Sequence, residues 1–276
     1  MVDMTIESGL SLIIGGYSTG KTTALVQLFG RLRSADSSLR IVNQPASLEA
    51  VRSGLAALAS GRQVSHTPAG TEVLQELQVR GPGGSLVEIS IPDYDGESID
   101  SIVEDRRVPE SWRQQALHAR RWILFVRLDR MEPLPEFLSV DAGAGLDGER
   151  EQSPMPLDLR LVELLQILGY ERARASRRDP ELLVVLSCWD ELTPQPPETV
   201  TPTDVLSDRM PLLHSFVTNR WSSGSHAVVG LSSQGRVLVD TTPDQDFINR
   251  GPDQMGYLVR SDATRTDDLT ELLLLP

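Results

Sequence analysis

The chain has 276 residues, 39% of them hydrophobic, which is enough apolar material for a sizeable core and too much for a disordered chain. Its 39 acidic residues against 26 basic ones give a formal charge of −13, which argues against a phosphate-tracking surface for DNA or RNA. A single cysteine, Cys188, excludes an intramolecular disulfide and a cysteine-rich zinc cluster; no basic leader precedes an apolar stretch, and no apolar run approaches the roughly 18 residues of a membrane span, so a soluble, cytoplasmic protein is expected.

The first element is "LSLII" (10–14), a short run with the character of a buried strand. It leads into "GGYSTGKTT" (15–23), and Leu25, Leu28, Phe29 and Leu32 then recur at helical spacing. Gly15, Gly20, Lys21 and Thr22 satisfy G-x-x-x-x-G-K-[ST] in the strand, loop, helix order that a phosphate loop requires. The glycines let successive N–H groups turn inward onto an anion, and the helix points its positive end at the same place. Gly15, Gly16, Tyr17, Ser18, Thr19, Gly20, Lys21, Thr22 and Thr23 are therefore the candidate phosphate cradle. Lys21 would reach the β- and γ-phosphates, and Thr22 would place its hydroxyl on Mg²⁺.

Residues 39–61 read as an extra strand and helix: "RIVNQ", then Leu48, Val51, Leu55 and Leu58, opened by Ser47 and stopped by Gly61. In "HTPAGTEV", Thr67 and Thr71 are both candidates for the threonine that in Ras-like proteins reaches Mg²⁺ only when a γ-phosphate is bound, and the spacing from Thr71 to Asp93 resembles theirs, which favours Thr71. The strand "EVLQELQV" turns at "GPGG" into "SLVEISIPDYDGE" (85–97), which ends in Asp93, an acid at a strand end beside the phosphate loop, as Mg²⁺ needs. Asp93 to Gly96 also spell D-x-x-G, in which the Gly96 N–H can meet the γ-phosphate.

Pro109 opens a short helix through Trp112 and Ala116, and "RWILFVRLD" (121–129) is the next strand. Residues 132–156, rich in Pro, Gly and acids, read as a long mobile loop. Leu157, Leu161, Leu164, Leu165 and Leu168 mark a helix with a core-facing stripe. The strand in "ELLVVLSCWDEL" (181–192) ends at Ser187, Cys188, Trp189 and Asp190. A proline-rich connection, "TPQPPETVTPTD", precedes a helix marked by Leu212, Leu213, Phe216 and Val217. "AVVGLSSQG" (227–235) is the last strand and ends in Ser232 and Ser233; residues 236–276 form a C-terminal extension with a final helix. His66, His118, His214 and His226 show no ligand spacing, and neither a repeat nor an internal boundary divides the chain, so one domain over 1–276 is expected.

These motifs, in this order, resemble a P-loop GTPase of the translation-factor and Ras-like class over residues 8 to about 235. The combination of "GGYSTGKTT", "IPDYDGE", "LSCWDEL" and "GYLVRSDATRTDDLTELL" more narrowly resembles the bacterial double-GTPase family of conflict and defence systems. The resemblance implies an α/β, three-layer P-loop NTPase fold with a mostly parallel central sheet, elaborated by the strand-helix insertion before the first switch and by the long loop. It also implies GTP and GDP with Mg²⁺ held through Thr22, Thr71 and Asp93. Asp190 takes the place of the acid in [NT]-K-x-D, where a carboxylate accepts from the N1–H and exocyclic amine of guanine; adenine offers no such pair of donors. Ser187 stands for the usual Asn or Thr, and Cys188 for the Lys whose stem covers the base. Ser232 and Ser233 match the short base-contacting loop.

The implied reaction is attack of water on the γ-phosphate, with Lys21, Thr71 and Glu97 as the catalytic set. Glu97 stands where Ras-like enzymes carry Gln, so slow hydrolysis or a partner donating an arginine is expected, an effect worth about 10³ to 10⁵ in rate. Arg62, Arg106 and Arg107 are candidates for supplying it in cis. The expected protein partner is an effector, an activating protein or a second GTPase. Two rivals remain: a non-hydrolysing assembly module that holds nucleotide as a structural part, and an ATP-using P-loop NTPase, kept open by Cys188.

Overall fold

The computed structural model describes residues 9–33, 39–43, 49–64, 75–81, 84, 86–91, 97–128 and 155–275. Among these residues nine strands make one sheet: β1 (Gly9–Ile14), β2 (Arg40–Ile41), β3 (Gln75–Arg80), β4 (Leu86–Ile91), β5 (Arg121–Arg127), β6 (Glu181–Ser187), β7 (His226–Ser232), β8 (Tyr257–Val259) and β9 (Arg265–Thr266). Their order is β2-β3-β4-β1-β5-β6-β7-β8-β9. The five central strands, β4 to β7 in that order, are mutually parallel, and two antiparallel strands extend each edge. Chain order reverses at β1, whose neighbours are β4 and β5, so the crevice at the carboxyl end of β1 is where an open α/β sheet takes a ligand.

Both faces of the central strands are covered, which explains their unbroken apolar runs. Leu12, Ile14, Trp122, Leu124, Val126, Leu182, Val184 and Leu186 face one core. There they meet α3 (Glu97–Asp105), α4 (Glu110–His118), α5 (Leu157–Arg174), α6 (Pro202–Arg209) and α7 (Pro211–Arg220). Ile13, Ile123, Phe125, Leu183, Val185 and Val229 face the other, against α1 (Lys21–Leu32), Val51 of α2 (Glu49–Ala59) and the C-terminal leucines 269, 272 and 273. A third, small cluster joins Val26, Leu58 and Val64 to Leu238, Met255 and Phe247 of α8 (Gln245–Arg250).

The strand and helix predicted at 39–61 are β2 and α2. The helix expected at the C-terminus is instead a five-residue 3-10 turn, Leu269–Leu273. Consecutive leucines there cannot make one helical stripe, and Asp268 accepts from the Thr270 N–H at 2.9 Å, closing a short turn. The proline-rich connection holds a helix as well. Thr201 accepts from the Asp204 N–H, the Asp204 carboxylate accepts from the Thr201 N–H, and Pro202 occupies the first helical position, so α6 begins within it. Nearly all of the loop at 132–156 lies outside the described residues.

Candidate nucleotide-binding site

The phosphate-loop motif runs from the carboxyl end of β1 into α1. A side chain at position 15 has no room: a β-carbon there would come within 2.9 Å of both the Phe125 β-carbon and Thr19 Oγ1. Ser18 and Gly20 adopt left-handed backbone, with φ of 56° and 77°. The loop is held by its own polar groups. Thr19 Oγ1 donates to the Gly16 carbonyl at 2.9 Å, and Lys21 Nζ donates to the carbonyls of Gly15 at 2.5 Å and Gly16 at 2.6 Å. The first turn of α1 carries no acidic side chain, and its positive dipole end faces the loop.

Across the sheet, β6 ends at Ser187, Cys188 takes left-handed backbone with φ 53°, and Trp189–Glu191 forms a 3-10 turn. The Ser187 hydroxyl donates to the Val126 carbonyl at 3.2 Å. The Gln195 side-chain amide donates to the carbonyls of Asp190 at 2.7 Å and Trp189 at 3.0 Å, which fixes the turn. Trp189 is buried against β7. Asp190 faces Tyr257 of β8: burial, and second the Asp190 charge, push the Tyr257 phenol up from its ordinary value, while Arg265 opposes them from 3.7 Å off the ring centroid.

Ser232 ends β7 and Ser233 follows it. The Ser232 hydroxyl is buried and accepts from the Gly235 N–H at 2.8 Å, whereas Ser233 lines the open space. That space is a cavity of about 260 Å³ bounded by Ser18, Thr19, Gly20, Lys21, Thr22 and Thr23 of the loop, by Ser187, Cys188, Asp190 and Glu191, and by Ser233. Three of the four sequence motifs therefore meet around one cavity, from three strand ends. Gly15, Gly16 and Tyr17 belong to the same loop but do not line it, and Ser232 sits behind it.

Thr67, Thr71, Asp93 and Gly96 lie outside the described residues; Glu97 opens α3, and its side chain is not described. Arg106 and Arg107 line a different groove, between α3, α4 and α5, where Arg106 pairs with Glu163 at 2.6 Å. Arg62 is exposed beside Gln63 and Val64, which do line the cavity.

Several lining residues carry no motif. The segment 234–239 forms one wall, held by Arg236, whose guanidinium pairs with Asp244 at 3.2 Å and Asp246 at 2.8 Å. The Phe247 N–H, and second Arg236, hold the Asp244 carboxyl below its ordinary range. Arg127, the last residue of β5, also lines the cavity: it donates to the Ser18 carbonyl at 3.1 Å and pairs with Glu191 at 2.7 Å.

No curated protein matches the chain in sequence. Among solved structures, the S. cerevisiae Ski7 GTPase-like domain, crystallised bound to GTP, is 14% identical with a TM-score of 0.45, over 83% of this chain and 44% of that one. A bacterial selenocysteine-specific elongation factor, EF-Sec, is 13% identical with a TM-score of 0.41, over 83% of this chain and 26% of that one. This chain thus spans less than half the length of either. The Double-GTPase 1 family model, in contrast, matches residues 12–274. With a family match over almost the whole chain, the protein belongs to the Double-GTPase 1 family.

Proposed function

We propose that the protein is a Mg²⁺-dependent GTP switch that hydrolyses GTP to GDP and phosphate and is read by a protein partner. One observation carries the reading: the phosphate-loop residues 18–23, Asp190 and Ser233 line the same cavity at the switch point of the sheet. On this reading the loop N–H groups and the first turn of α1 hold the β- and γ-phosphates. Lys21 Nζ turns from the Gly15 and Gly16 carbonyls onto the phosphate oxygens, a short swing, because those carbonyls belong to the same loop.

Asp190 accepts the two guanine donors, and Ser233 lies at the far edge of the base. Thr22, with Asp93 and Thr71 or Thr67, is a fitting all-oxygen set for Mg²⁺, which when bound neutralises charge on the phosphates. Glu97, Thr71 and Gly96 are assigned to the water and γ-phosphate side. A carboxylate at Glu97 makes a slow basal rate the expected one, raised by a partner or by Arg62. The proposed role extends to conflict or defence, by the resemblance drawn from the sequence motifs, with a second GTPase or an effector as partner, and to the cytoplasm. Among the described residues no helix is long and apolar enough to cross a membrane.

Thermal unfolding of nucleotide-stripped protein with Mg²⁺ and GTP, GDP or ATP tests this. A guanine nucleotide at about 100 times its dissociation constant stabilises by about 2.7 kcal/mol. The wild type is expected to shift with GTP and GDP only, and Lys21→Ala to lose the GTP shift. A shift with ATP would replace guanine by adenine, and an unchanged GTP shift in Lys21→Ala would remove the site assignment. Binding without phosphate release over hours would favour a non-hydrolysing assembly module.

A further inference from the structure

Resting on that reading of the cavity, we propose that Arg127 is a positioning residue for guanine-nucleotide binding. It supplies from β5 the cationic link between phosphate loop and base turn that position 188, a cysteine, does not supply. β5 lies between β1, which carries the phosphate loop, and β6, which carries the base turn. Its last residue, Arg127, is in register with Ser187, immediately before Cys188.

From there one guanidinium spans both halves of the site: Nη1 donates to the Ser18 carbonyl at 3.1 Å and Nη2 pairs with Glu191 at 2.7 Å, next to Asp190. The side chain is only 14% exposed, so its charge is held in place by these partners rather than by water. The side chains at the motif positions cannot do this work. The Ser187 hydroxyl is donated to the Val126 carbonyl, and a cysteine thiol is an uncharged, weak donor. An arginine, with several donors in a rigid fork, holds two partners at a fixed separation in a way a lysine does not. Here the partners are the loop that would hold the phosphates and the turn that would read the base.

A link of this kind acts on both ends of the ligand. Its loss lets the Ser18 loop and the Asp190 turn move independently, so affinity falls for GDP and GTP alike, and the preference for guanine over adenine narrows. The experiment is titration of GDP, GTP and ATP, with Mg²⁺, into the full chain as wild type, Arg127→Ala, Arg127→Gln, and Arg127→Ala combined with Cys188→Lys.

Removing a charged hydrogen-bond donor of this type is expected to weaken both guanine nucleotides by about 10- to 100-fold in Arg127→Ala. Lysine at 188 is expected to restore most of that loss, which a merely structural defect in β5 would not allow. Arg127→Gln keeps the stem and an amide donor and covers the case in which Ala disturbs folding; it is expected to fall between the wild type and Ala. Guanine-nucleotide affinity within about 2-fold of wild type in Arg127→Ala or Arg127→Gln, or no recovery in the double variant, would overturn the assignment of Arg127 while leaving the GTP site standing. Failure of the wild type to bind any guanine nucleotide would overturn the site itself and Arg127 with it.

Discussion

Trp189 lies so close to β7 that a β-carbon added at Gly230 would come within 2.5 Å of the indole. Gly230 therefore sets the depth of the turn that carries Asp190. Gly230→Ala must push the ring outward, an overpacking cost of about 1–3 kcal/mol, and Asp190 moves with it. A lower denaturant midpoint together with weaker GDP binding is the expected result; equal stability with unchanged GDP affinity would uncouple the turn from its support. At this scale, legibility in the sequence followed spacing. Lys21 and Asp190 stand at fixed offsets from glycines and strand ends and could be named in advance. Arg127 could not, because nothing in "RWILFVRLD" separates an arginine that crosses to two neighbouring strands from one that ends a strand in water. Its role depends on strand order, which is a tertiary fact.

Among the elements, α7 begins with Pro211 and has no capping side chain of its own. Its cap comes from another helix. Asp158 of α5, 1% exposed, accepts from the N–H groups of Leu212 at 3.0 Å and Leu213 at 2.7 Å. Removing it in Asp158→Ala leaves two N–H groups without their acceptor and should cost about 1–2 kcal/mol, read as a lower midpoint in thermal or urea unfolding, with guanine-nucleotide affinity unchanged. In the sequence Asp158 looks like one more acid between leucines, since the partner is 54 positions away. The helices that were legible, α1, α2, α4, α5 and α7, carry apolar positions at helical spacing or a proline at their start, whereas α3, α6 and α8 were missed. Those that were missed are short, and α6 announces itself only through Thr201, Pro202 and Asp204.

Across the whole molecule, the C-terminal residues are part of the core rather than an appendage. β8 and β9 extend the sheet beyond β7, Arg31 of α1 donates to the carbonyls of Met255 and Asp267, and Arg121 of β5 donates to the Leu273 carbonyl at 3.0 Å. Leu258, Leu269, Leu272 and Leu273 are all within 2% of full burial. Each such leucine is worth about 1.5–3 kcal/mol of burial, so deletion of 256–276 removes an amount comparable with the whole stability of a typical domain. The truncated chain is expected to be insoluble or to lose its cooperative melting transition; a soluble truncation with a sharp transition would contradict this. The central sheet was legible because strands buried on both faces announce themselves as apolar runs. The edge strands β8 and β9 were not, because three- and two-residue pairings leave no period to read.

The small cluster of Leu58 and Val64 with Leu238, Phe247 and Met255 lies where the inserted helix and the C-terminal segment meet, and the Asp244 N–H donates to the Gly61 carbonyl at 3.0 Å across the same junction. Val64 and Leu238 also line the cavity. The two additions to the central sheet are therefore a matched pair, each cut to the volume of the other. In a chimera that takes one of them from a relative without its counterpart, either a hole or a clash would open at the rim of the cavity, so across the family the two segments should vary in step.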